Sequence, residues 1–118
     1  MKYLCMVYAE EKAMGTLSGP ERDQLVDDSL SYDESLRRSG HFIVAHALQS
    51  VSTAATVRVR KNKPAITDGP FAETKEQLVG FILIEAKDRD DALQAASKIP
   101  MARHGSIEVR PVRSLSRP

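Results

Sequence analysis

The sequence predicts an α+β domain, an antiparallel sheet with two helices on one face. Three observations predict it. Branched and aromatic residues cluster in short strand-length segments, two longer segments repeat with helical period, and Gly, Pro, Asn and Asp punctuate the boundaries.

Residues 2–8 form the first strand, with Tyr3, Cys5 and Val7 on one face and Leu4, Met6 and Tyr8 on the other. Lys2 before this run looks briefly like a secretion signal. The apolar stretch ends at Glu10-Glu11-Lys12 without a cleavage site, so a strand is the expectation. Ser18-Gly19-Pro20-Glu21 has the form of a capping box with proline in the first turn, and opens a helix running to Ser39 before Gly40. Leu25, Ser29, Tyr32 and Leu36 make its apolar stripe, flanked by Val26 and Leu30, with Asp23, Asp27 and Glu34 opposite.

Phe42–Gln49 reads as strand two, Thr56–Lys61 as strand three and Ala65–Thr67 as strand four, the last two joined by a turn at Asn62-Lys63-Pro64. Leu78–Ala86 is strand five, apolar on both faces: Val79, Phe81 and Leu83 against Leu78, Ile82 and Ile84. Asp88 caps a second helix whose stripe is Ala92, Ala95, Ala96 and Ile99, small enough for close approach to a sheet, and Pro100 ends it. Ile107–Val112 is the last strand. The order β, α, β, β-hairpin, β, α, β is close to the ferredoxin-like βαββαβ plan with an added β-hairpin. Residues 1–113 are expected as one domain and 114–118 as a frayed tail.

Two helices cover one face of a sheet, yet strands one and five are apolar on both. A bare apolar face is unfavourable in a soluble monomer, so a homodimer through the sheet face is expected. Composition narrows the partners. Leu, Ile, Val and Phe number 28 of 118 residues, enough for a core, while a net charge of +1 gives no field to draw nucleic acid or an anionic membrane. The single Cys5 fits a reducing compartment, and a cytoplasmic location is expected. No histidine pair has metal-ligand spacing, so neither a metal nor a cofactor is expected.

The run Asp68-Gly69-Pro70-Phe71-Ala72-Glu73-Thr74-Lys75-Glu76, followed by Gly80, resembles the DGPF branch of the YCII-related domain family. So do the Met1-Lys2-Tyr3 strand, Ser52-Thr53 before Thr56-Val57-Arg58-Val59-Arg60, and Gly105-Ser106-Ile107-Glu108-Val109-Arg110-Pro111. The resemblance implies a dimeric α/β-barrel, a bacterial origin and, for many such proteins, genes beside extracytoplasmic-function sigma factors. Family members carry a His on helix one, eleven residues before the closing Gly, as half of an acid/base dyad. That position is Ser29 here, and a serine hydroxyl does not titrate near neutrality. Ser29 is either a packing residue between Leu25 and Tyr32 or the relic of a site.

The signature itself reads two ways. Asp68 can cap the turn that Pro70 stiffens while Phe71 plugs the core; alternatively Asp68, Glu73, Lys75 and Glu76 line a cleft for a small polar ligand, with Phe71 and Arg58 as further ligand-binding candidates. His46, sharing a strand face with Val44 and Leu48, is either a core residue or a cavity-lining acid/base, whereas His41 and His104 near element ends are expected to be solvated. Arg58, Arg60, Lys61 and Lys63 make a cationic hairpin without an aromatic stacking platform. Three functions stay open. The first is a small-ligand-binding domain, an accessory sensor linked to sigma-factor regulation. The second is a lyase or isomerase using Asp68 and His46 in proton transfer, with Lys75 or Arg58 holding a small organic anion. The third is a purely structural dimer module.

Overall fold

The computed structural model describes residues 1–116. Its main sheet has four strands in the order β2-β5-β1-β6, every neighbouring pair antiparallel. β1 is Lys2–Ala9, β2 Phe42–Ala47, β5 Gln77–Glu85 and β6 Gly105–Pro111, while β3 (Ala55–Arg60) and β4 (Lys63–Asp68) pair only with each other. The architecture is mixed α+β, compatible with the ferredoxin-like plan, and the added hairpin is present as a separate two-stranded sheet. No helix among the described residues is long and apolar enough to cross a membrane.

Helix α1 (Glu11–Met14) is a single unexpected turn, and Glu10 at its start makes no side-chain cap. Helix α2 (Gly19–Arg38) starts at the expected capping box: Glu21 N–H donates to Ser18 Oγ at 3.2 Å, and Ser18 N–H donates to Glu21 Oε1 at 3.1 Å. It ends at Arg38, one residue before the expected limit, with Gly40 at φ +82°. Leu25 and Leu36 are buried, and the Tyr32 hydroxyl donates to the Ala95 carbonyl at 2.6 Å, tying α2 to α3 (Arg89–Ser97). The flanking Val26 and Leu30 stay exposed. On α3 the alanine stripe does what its size permits: Ala92 and Ala96 are buried and, with Ile99, join the core. Pro100 does not simply stop this helix; it opens a turn of 3-10 helix, Pro100–Arg103.

Tyr3, Cys5 and Val7 of β1 meet Ile82 and Ile84 of β5 under the helices, and these residues are the centre of the core. Burial pushes the Cys5 thiol up to about 11, as fits an inert small hydrophobe. Strict alternation fails at one point in β5. A register shift between Val7 and Tyr8 places Leu78 opposite Tyr8, so Leu78 is exposed while Val79 packs on the core. Two glycines are fixed by the close approach of strands: a Cβ on Gly80 would lie 2.9 Å from the His46 carbonyl oxygen, and one on Gly105 would lie 1.9 Å from that of Tyr8.

β2 stops at Ala47, two residues short of the expected end, and the chain turns through Val51–Thr53 into the hairpin. The two-residue turn at Lys61 and Asn62 has φ of 51° and 63°, the all-positive geometry that matches the twist of hairpin strands. Val57, Val59 and Ile66 are exposed, so the hairpin is an arm standing clear of the core. The radius of gyration, 16.4 Å, accordingly exceeds the roughly 13.5 Å of a compact domain this long. Ser114–Ser116 has no regular structure, and residues 117–118 of the expected tail lie outside the described residues.

Candidate functional site

The side of the sheet away from the helices is bare. Pairing places Leu4 opposite Leu83, Met6 opposite Phe81, Val44 opposite Leu83 and His46 opposite Phe81, all on this face because alternate residues point the other way. β6 contributes Ser106, Glu108 and Arg110 opposite Tyr8, Met6 and Leu4, so an apolar field is bordered by a polar strand. His46 is exposed, and its ring meets Phe81 edge-on at 5.9 Å between centroids. Of the two readings of His46, a core residue is excluded by this exposure; it stands on an open face with an aromatic neighbour.

The signature is divided between two places. Asp68 ends β4, opposite Ala55, and is exposed. The turn that follows it is closed by other groups: Gly69 N–H donates to the Ala54 carbonyl at 2.7 Å, and Thr56 Oγ1 donates to the Gly69 carbonyl at 2.9 Å. Gly69 itself sits at φ +105°, where a side chain is disfavoured. Phe71 does not plug the core. It is 77% exposed, because the chain leaves the arm there, away from the helices, and its ring carries the Arg58 guanidinium at 5.4 Å.

The second half of the signature lies at the base of the sheet. Lys75 Nζ is 4.0 Å from Glu10 Oε2, and the Glu76 carboxylate accepts from Ser106 Oγ at 3.2 Å. Thr74 Oγ1 donates to the Glu76 carbonyl at 2.5 Å, fixing the approach to β5. Nearby, Glu11 of α1 accepts from Ser50 Oγ and Val51 N–H at 3.1 and 3.0 Å, which ties the root of the arm to the end of β1. Glu73 is exposed between the two halves. Within one chain no hydrogen bond or ion pair among the described residues joins Asp68 to His46. No group of three or more metal-ligating side chains occurs among the described residues.

One arrangement was not foreseen. His41, expected in solvent, is only 20% exposed and bonded through both ring nitrogens. Nε2 lies 3.0 and 3.1 Å from the Asp91 carboxylate oxygens, and Nδ1 lies 2.6 Å from Ser39 Oγ. Asp91 also accepts from Lys87 N–H at 2.9 Å, and that bond, followed by the one to His41, holds its carboxyl below the usual aspartate range. Ser39 and His41 flank the helix stop at Gly40, but a separation of 50 positions between His41 and Asp91 carries no spacing signal. Only the packing of α3 beside the start of β2 brings them together.

Comparison with known proteins places these features in context. The sequence pattern of the YCII-related domain matches residues 1–116. The chain is 34% identical over 114 residues to an uncharacterized protein of Rhizobium meliloti (strain 1021), covering 95% of this chain and 92% of that one.

Proposed function

Since the chain belongs to the YCII-related domain family, we propose that it is a small-molecule-binding domain acting as a homodimer closed across the open sheet face. The observation that carries this reading is that face: Leu4, Met6, Tyr8, Val44, Phe81 and Leu83 lead up to the exposed His46 on the edge strand β2 and have no covering element. An apolar floor with few polar groups, here His46 and the Tyr8 hydroxyl, is the make-up of a small-ligand site, and a second copy supplies the missing roof. The arm supports the same reading. A lone two-stranded hairpin is marginal in water, and Val57, Val59 and Ile66 gain burial only from another molecule.

The Asp68–Glu76 run supports a reading of the chain as one of the DGPF branch, and the accessory sensor role beside a sigma factor is part of that reading. Arg58 and Phe71 on the arm, with Lys75 and Glu76 at the base, are the groups offered to an organic anion. Binding stands ahead of lyase or isomerase chemistry, because Asp68 and His46, the acid/base pair of that chemistry, make no contact within one chain. A purely structural dimer leaves His46 without a task.

Light scattering at micromolar concentration is expected to return twice the 13.0 kDa chain mass; the mass of one chain overturns the dimer. Thermal shift with benzoate, salicylate and inorganic phosphate is expected to raise the melting temperature for at least one of them, and His46→Ala to remove that rise. No rise with any of them, or a rise that His46→Ala leaves intact, overturns the placement of the ligand.

A further inference from the structure

We propose that Ser39, His41 and Asp91 form a second site, in which a histidine–carboxylate pair activates a serine hydroxyl to accept small acyl groups from activated esters. The three residues come from three elements: Ser39 caps α2, His41 leads into β2, and Asp91 lies in the first turn of α3. The site is on the edge of the helix-covered layer and does not depend on the open face or on a dimer.

The hydrogen-bond pattern assigns the roles. An ionised carboxylate only accepts, so the Asp91 contacts of 3.0 and 3.1 Å place the imidazole proton on Nε2. When His41 carries no second proton the lone pair is on Nδ1, and the hydroxyl 2.6 Å away is placed to donate to it. Ser39 Oγ also lies 3.1 Å from the Leu36 carbonyl, the ordinary contact of a hydroxyl at a helix end. A hydroxyl has one proton: at rest it donates to the Leu36 carbonyl, and it must turn to Nδ1, 2.6 Å away, for the imidazole to take it. Lys87 N–H at 2.9 Å anchors Asp91, so the ring is held from behind while facing the nucleophile. This is the relation of nucleophile, base and orienting acid found in acyl-transfer sites, with the two ring nitrogens exchanged.

A helix cap accounts for Ser39 beside Leu36, and a tie between β2 and α3 accounts for His41 with Asp91. Neither role needs the hydroxyl within hydrogen-bond reach of Nδ1, nor the trio placed at a cleft. They do stand at one, of about 400 Å³, lined also by Gly40, Glu85 and Lys87. Ser39 is exposed, and the space beside Gly40 is open, with no atom within 4 Å of where a Cβ would stand.

In the proposed step Ser39 Oγ bonds to the ester carbonyl carbon while its proton moves to His41 Nδ1. The bond to the leaving oxygen then breaks, and that oxygen departs as the alcohol with the proton from Nδ1. Water, deprotonated by Nδ1, later cleaves the serine ester and restores the hydroxyl. Lys87 and the Met1 ammonium, the latter bonded to Glu85, are the positive groups among the residues lining the cleft. The carbonyl end of α2 opposes a developing oxyanion, so esters with good leaving groups are the substrate class.

The test is acetylation by p-nitrophenyl acetate, mapped by peptide mass spectrometry. Ser31, an exposed serine on the same helix, serves as the internal reference. Ser39 is expected to acetylate at least about tenfold faster than Ser31, and to fall to the Ser31 rate in His41→Ala and Asp91→Asn. Equal rates at Ser39 and Ser31 in the unmodified protein overturn the proposal. So does a Ser39 rate unchanged in a His41→Ala protein that keeps its melting temperature. If that variant does not fold, the ratio in the unmodified protein decides alone.

Discussion

The two faces of β1 and β5 are made of similar residues and have opposite fates. Under the helices, Tyr3, Cys5, Val7, Ile82 and Ile84 are at most 7% exposed; on the other side Leu4, Met6, Phe81 and Leu83 shield one another only in part. Side-chain chemistry does not distinguish them. What differs is α2 and α3, which lie on one side alone. Stability therefore resides in the covered face, and the bare face is free for a partner or ligand. Adjacent positions of β5 put this to the test. Ile84→Ala is expected to cost about 3 kcal/mol in urea denaturation at any protein concentration, since a fully buried side chain leaves a cavity. Leu83→Ala is expected to cost about 1 kcal/mol at concentrations where the chain is a monomer. Equal losses at the two positions would break the contrast.

A charge sharpens the comparison further. Phe81→Glu places a carboxylate in the middle of the bare face, opposite Met6 and His46. For a dimer closed there, melting temperature rises with protein concentration in the unmodified protein, and this dependence disappears in Phe81→Glu while the far-ultraviolet circular dichroism is kept. A Phe81→Glu protein that still melts at a concentration-dependent temperature would put the contact elsewhere, with the arm as the remaining apolar surface. A protein that loses its circular dichroism would show that the bare face carries part of the fold.

Much of this contrast was legible in the residues. Period two in β1, the capping box at Ser18 and the alanine stripe of α3 are local signals, and each sits where it was expected. The bulge that turns Leu78 outward and Val79 inward was not legible, because it depends on how β5 meets Tyr8 across the sheet. The core-plug reading of Phe71 fails for a related reason: an aromatic beside a Pro turn resembles a core plug unless one knows that the arm carries it away from the helices. The candidate site was legible as residue types only. His46 and the signature stand out in the sequence, but their separation onto a sheet face, an arm and a strand base is a matter of tertiary path. The bonding of His41 to Asp91 is the extreme case.

That pair yields the smallest expected effect, and it belongs to the covered layer. The Asp91 carboxyl is held below its ordinary value by Lys87 N–H and then by His41, and unfolding removes both partners. The unfolded chain thus binds a proton at Asp91 more readily than the folded one does. Its contribution to stability is fully present above the ordinary aspartate value of 3.8 and is lost as the pH falls toward the lowered one. Asp91→Asn cannot ionise, so its urea midpoint is expected to lie below that of the unmodified protein at pH 7. The gap should narrow steadily as the pH drops below about 4. Because the latch lies away from the bare face, the gap should be the same at every protein concentration. A gap that stays constant with pH would mean that the carboxylate charge contributes nothing. A gap that grows with concentration would couple the latch to the dimer, and the two faces could then no longer be treated as separate.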